Sequence, residues 1–190
     1  MVNVKKLLVL LSFVATTAQA QTYTQDVRYS TATATGTALF VTAASAYAAK
    51  NVVGGTAAAG GAGLLSFGNV CKASQTIQIN SVQVTDKSDN AVGYDLQLFS
   101  SNPTASTITD KVNMVVASAD LPKLLPTISL DTSDHFSFST TNGQSSLTSL
   151  DSGGFVSTTG GTLYGALITR GSPTYSSTSD ISVKIGYKCN

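Results

Sequence analysis

The chain contains one histidine, His135, which follows Asp134 in the run Asp131-Thr132-Ser133-Asp134-His135-Phe136. A histidine beside a carboxylate invites comparison with a Ser-His-Asp relay, in which an acid orients the imidazole that deprotonates a serine. The spacing argues against it. Neighbouring side chains on an extended backbone leave opposite faces, so Asp134 is badly placed to orient His135. No Gly-x-Ser-x-Gly elbow presents a nucleophile either. A structural or surface histidine is expected, and no catalytic residue is assigned.

Metal and sugar chemistry meet similar obstacles. Zinc needs three or four His, Cys or acidic ligands, and one His with two distant Cys does not supply them. Asp86 with Asp89, and Asp131 with Asp134, place pairs of oxygen ligands in expected turns, where calcium would look for them. Turn aspartates more often bond to their own backbone, and the EF-hand loop closes with a Glu that this chain lacks. All ten acids are Asp, so paired-carboxylate glycoside hydrolysis would need two of them brought together by the fold. Tyr23, Tyr29, Tyr47, Tyr94, Tyr164, Tyr175 and Tyr187 offer rings for sugar stacking, but several fall on expected core faces and no Trp reinforces them. Gly54 to Gly63 reads GGTAAAGGAG and lacks the Lys-Ser/Thr ending of a phosphate loop, so it is expected to be a linker. No metal and no cofactor is expected.

The two cysteines, Cys71 and Cys189, carry the clearest covalent expectation. In an oxidising compartment they should pair, closing most of the chain into one loop and fixing its last strand to the body. Export is expected from the first residues. Lys5 and Lys6 precede the apolar run Leu7 to Val14, and Ala18-Gln19-Ala20 has the small-x-small form of a signal-peptidase site. The apolar run is shorter than the roughly 20 residues needed to span a bilayer. Cleavage after Ala20 is expected, giving a leader over 1–20. Nine basic residues then face ten Asp, a formal charge of −1. Without a basic stripe, nucleic-acid binding is not expected.

The composition must also position whatever surface does the work. Glu is absent and Arg nearly so, while Ser, Thr, Val, Gly and Tyr abound, which favours strands and turns over helix. Residues 21–37 read as an extended N-terminal arm, and 38–190 as one domain. Ala38 to Val53 favours strands. Ile77, Ile79, Val82 and Val84 alternate with polar residues but change phase near Asn80-Ser81, which predicts a bulge. Asp86 to Asn90 reads as a hairpin turn into Val92, Tyr94, Leu96 and Leu98. One short helical turn is expected within 108–125. Further strands are expected at Ile128–Leu130, His135–Ser139, Gly154–Ser157, Thr162–Thr169 and Ile181–Lys188, with Leu163 to Ile168 apolar on both faces, as in a central strand. The fold class is all-β: a two-sheet antiparallel sandwich, jelly-roll-like, with at most one short helix.

Three segments add a resemblance. They are Ala46-Tyr47-Ala48-Ala49-Lys50-Asn51-Val52-Val53-Gly54-Gly55, then Gly93-Tyr94-Asp95-Leu96-Gln97-Leu98-Phe99-Ser100-Ser101-Asn102-Pro103-Thr104, and Leu163-Tyr164-Gly165-Ala166-Leu167-Ile168-Thr169-Arg170-Gly171-Ser172-Pro173-Thr174-Tyr175. Together they resemble tailed-phage and prophage virion proteins of the head-decoration or minor structural type, over roughly residues 45–187. That group more often carries Asp at the position of Asn51, and a cleavable leader is unusual in it. The resemblance implies a β-sandwich that joins a protein assembly such as a capsid or surface layer, as a homo-oligomer, with loops exposed outward. The expected function is therefore non-enzymatic and structural. The alternative is a secreted adhesin or carbohydrate-binding module taking a glycan on loops such as Thr140 to Gly154.

Overall fold

A computed structural model describes residues 32–36, 39–55, 62–72, 75–139, 143–149, 156–157 and 161–189. The leader over 1–20 and most of the arm lie outside the described residues, as does much of the 54–63 linker. The described strands are β1 (Ala32–Thr35), β2 (Leu65–Val70), β3 (Ile77–Asp86), β4 (Tyr94–Phe99), β5 (Ile128–Leu130), β6 (His135–Ser139), β7 (Gly143–Ser149), β8 (Val156–Ser157), β9 (Gly161–Thr169) and β10 (Ile181–Cys189). They form a six-stranded sheet in the order β1-β10-β3-β7-β6, with β8 also on β3, and a four-stranded sheet in the order β2-β9-β4-β5.

The winding follows from the pairing. β1 pairs with β10, β2 with β9, β3 with β7 and β8, and β4 with β5, all antiparallel. These pairs are successive rungs of one long hairpin, and alternate rungs fall in different sheets. The rolled hairpin closes through β3–β10 and β4–β9, which makes the sandwich a jelly roll.

Alternation of apolar and polar residues decides which face each strand buries. Ile181, Val183, Ile185 and Tyr187 of β10 point inward, with Ser182 and Lys184 exposed between them. In β3 the phase change falls where the residue pattern places it. Ile79 pairs with Tyr187 and Ser81 with Gly186, leaving Asn80 as the extra residue of a bulge. Ile77, Ile79, Val82 and Val84 are thereby all buried. The inner faces of both sheets meet in one core that includes Leu65, Phe67, Leu96, Leu98, Leu163 and Leu167.

A second, smaller core lies on the other side of the four-stranded sheet. Phe99 and Ala166 are buried there with Val52 and Ile108, and Leu64, Met114, Val116, Leu124 and Tyr164 pack around them. Residues 39–55 and the long β4–β5 connection supply this cover. It accounts for β9 being apolar on both faces, since β9 sits between β2 and β4 with a core on each side. Helix among the described residues is confined to two 3-10 turns, Ser118–Lys123 within the stretch expected to hold one, and the three-residue Thr132–Asp134.

Three expectations need correction. Asp86 to Asn90 is not a hairpin turn, because β3 and β4 belong to different sheets and the segment carries the chain across the sandwich. Period two reports which face is buried but not which neighbour is paired. Of the Ala38 to Val53 stretch, the described residues 39–53 form isolated bridges, such as Phe40 to Gly55 and Val52 to Ile168, in place of regular strands. Residues 143–149, expected within a loop, form β7 between β3 and β6. Ala32–Thr35, within the stretch read as the arm, forms β1 and is hydrogen-bonded to β10 in the six-stranded sheet.

Candidate functional site

Cys71 and Cys189 form a disulfide, with Cα atoms 5.6 Å apart. The bond ties the end of β2 to the end of β10 and so joins the two sheets. It spans a sequence separation of 118 residues. Closing a loop of that order stabilises by about 4–5 kcal/mol in the chain-entropy account.

Of the tyrosines that offered stacking rings, Tyr23 and Tyr29 lie outside the described residues, Tyr164 is half-buried and the other four are internal. Tyr47, Tyr94 and Tyr175 are buried, and Tyr187 nearly so. Tyr47 and Tyr175 meet edge to face with ring centroids 5.3 Å apart, and the Tyr175 and Tyr94 hydroxyls lie 3.2 Å from each other. Each end of this seam reaches an aspartate. Tyr47 donates to Asp110 at 2.7 Å, and Tyr94 donates to Asp86 at 3.0 Å. Burial is the first cause that raises the phenol pKa of all three, with the Asp110 hydrogen bond adding at Tyr47, the Asp86 charge at Tyr94 and the Tyr94 hydroxyl at Tyr175. They are neutral donors at physiological pH, which suits packing and not proton abstraction.

The aspartates serve as anchors for loops. Asp110 accepts from Thr42 Oγ1, from Tyr47 and from the Gly54 N–H, each at 2.7 Å, so it ties residues 42–54 to the β4–β5 connection. Asp86 accepts from the Ser88 N–H at 2.8 Å and from the Asn90 side chain at 3.0 Å, which shapes the crossover to β4. Asp180 accepts from Ser88 Oγ at 2.5 Å, from the Ser176 N–H at 2.9 Å and from the Ser177 N–H at 2.8 Å. Burial raises the Asp180 pKa, but these donors outweigh it and the net shift is downward. Asp120 is held low by Lys123, Ser106 and the Ala105 N–H. The oxygens considered for calcium are engaged in the same way. Asp89 accepts from Ser137, and Asp134 accepts from the Asp131 N–H at 2.8 Å. Among the described residues no group of three or more His, Cys, Asp or Glu converges.

His135 and Asp134 are not arranged as a relay. His135 Nε2 bonds the Val92 carbonyl, and the buried Nδ1 has no hydrogen-bond partner among the described residues. Asp134 instead closes the turn that begins at Asp131.

One cleft does stand at the surface. At the end of the four-stranded sheet where β4 begins and β5 and β9 finish, Ala91–Gly93, Asp131–Thr132 and Arg170–Gly171 line an open cleft of about 250 Å³. Arg170 pairs with Asp131 across this cleft and lies 3.8 Å from Asp95, which also accepts from Ser129 at 2.7 Å. Sequence reading missed Arg170 and Asp95. The signal available was Arg170 as the one Arg among the described residues, set directly after a strongly apolar strand. The Thr140 to Gly154 loop expected in the alternative reading contains β7 at 143–149, and its remaining residues lie outside the described ones. No protein-family model, no curated protein and no solved structure matches the chain, so its own geometry has to carry the functional reading.

Proposed function

We propose that this chain is an exported, non-enzymatic structural protein that joins a larger protein assembly as a homo-oligomer, as a virion component of the capsid-decoration or minor structural kind. The observation that supports this reading best is the jelly-roll winding, with Asp86, Asp110, Tyr47 and Tyr94 engaged in internal hydrogen bonds. Jelly rolls build capsid and lectin domains, in which two packed sheets present loops at their ends. Fold analogy alone does not assign a function. The three-segment resemblance to phage virion proteins points the same way and is independent of the winding. Export after cleavage at Ala20 fits a disulfide that pins both sheets.

The test is direct. Purified virions or surface layers from the producing cell should contain the protein at high copy, starting at Gln21, and the isolated protein should scatter light as an oligomer. A strictly monomeric protein absent from every such particle would refute the assignment.

A further inference from the structure

We propose that the cleft between Ala91–Gly93, Asp131–Thr132 and Arg170–Gly171 binds a neutral sugar ring through the paired side chains of Arg170 and Asp131. The inference goes beyond the assembly reading and does not depend on it.

The chemistry of the pair selects a hydroxyl ligand. A guanidinium only donates and a carboxylate only accepts, whereas a hydroxyl does both. Arg170 and Asp131 stand together at the cleft with 44% and 64% of their side chains exposed. Two neighbouring hydroxyls of a sugar can therefore accept from one partner and donate to the other without breaking the ion pair. Charge narrows the class further. Arg170 is outnumbered by Asp95, Asp131 and Asp134 near this end of the sheet, so an acidic sugar meets net negative charge. Val92 contributes an apolar wall suited to the C–H face of a ring.

Size and backbone fit the same occupant. The volume of about 250 Å³ lies below the roughly 300–1,000 Å³ of sites for drug-sized ligands, which suits one ring better than a chain. Gly93 and Gly171 let the walls close in. A Cβ on Gly93 would lie 3.0 Å from the Leu130 carbonyl oxygen, and one on Gly171 would lie 2.9 Å from Val92. The loop above them holds Asp89 and Ala91 at φ 52 and 46, left-handed conformations that non-glycine residues rarely adopt. Ala44, Lys50, Asn69, Cys71 and Lys111 share this conformation elsewhere, so the two residues shape the loop and do not by themselves mark a site; surrounding bonds hold them. Here those bonds come from Asp86 to Ser88 and Asn90, and from His135 to Val92, which makes His135 a positioning residue for the wall.

Amide NMR titration of the oxidised, exported protein with glucose, galactose, mannose and glucuronate tests this. At least one neutral hexose should shift the amides of Ala91, Gly93, Thr132 and Gly171, with glucuronate about tenfold weaker or inert. Asp131→Asn and Arg170→Gln should each weaken that hexose by about tenfold or more, with the remaining spectrum unchanged. If Arg170→Gln unfolds, the exposed Asp131→Asn carries the test. The inference fails if no neutral hexose moves these amides, if glucuronate binds equally well, or if a folded Asp131→Asn binds like the parent. A hexose-binding monomer that is absent from every virion or surface-layer preparation would keep this inference and remove the assembly reading. An oligomer inert to all four sugars would do the reverse.

Discussion

Gly186 of β10 lies so close to Ser81 of β3 that a Cβ built on the glycine would come within 2.2 Å of the serine hydroxyl oxygen. The contact falls at the Asn80 bulge, where the extra residue of β3 swings toward its partner strand, and the same Cβ would lie 2.8 Å from the Asn80 side chain.

Gly186→Ala should therefore destabilise the fold by about 1–2 kcal/mol, since a short Ser or Asn side chain can turn aside only in part. Adding Ser81→Ala should restore a portion of the loss, giving a non-additive pair in urea denaturation. Equal stability of parent and Gly186→Ala would show that the bulge is looser than the register implies.

The bulge was also the most legible feature of the sequence. The shift of apolar residues from odd to even positions between Ile79 and Val82 is a covalent record of it, and no tertiary information was needed. Likewise the edges of β5 and β6 follow from Pro, Asn and Asp punctuation. β7 was invisible for the opposite reason: Gly143-Gln-Ser-Ser-Leu-Thr-Ser149 carries almost no apolar residue, and its strand state comes from the ladders of β3 on one side and β6 on the other. The cleft was illegible because Asp95 lies in β4, Asp131 just after β5 and Arg170 just after β9, and only the sheet order brings them together.

Reduction of Cys71–Cys189 should lower unfolding free energy by about 4 kcal/mol in the chain-entropy limit. Denaturation with and without reductant measures this, and the Cys71→Ser/Cys189→Ser double variant should match the reduced parent and ignore reductant. A parent insensitive to reductant would mean that the sheets hold without the link.

Asp110→Ala should cost about 2–4 kcal/mol, because it leaves the Tyr47 hydroxyl and the Gly54 N–H buried without their acceptor. Tyr47→Phe should cost less, about 1–2 kcal/mol, since Asp110 keeps Thr42 and Gly54 as donors. Thermal melts of the two variants provide the comparison, and the reverse order would refute this account of the seam.

Acid stability should depend on Asp180 and Asp120. Both have folded pKa values below the unfolded carboxylate value of about 3.9, so the folded state binds fewer protons there than the unfolded state. Their contribution is complete above that value and is lost as pH falls through the lowered folded pKa. Asp180→Asn should reduce stability at neutral pH and flatten its decline below about pH 4. A variant whose acid limb parallels the parent would show that Asp180 is not among the groups that set it.

The second apolar layer gives the molecule a front and a back. The four-stranded sheet is upholstered by residues 39–55 and the β4–β5 connection, whereas the six-stranded sheet turns Ser182 and Lys184 straight to water. A neighbour touching the described residues broadside would thus meet unlike materials, irregular chain over the four-stranded sheet and the exposed side chains of a regular strand at β10.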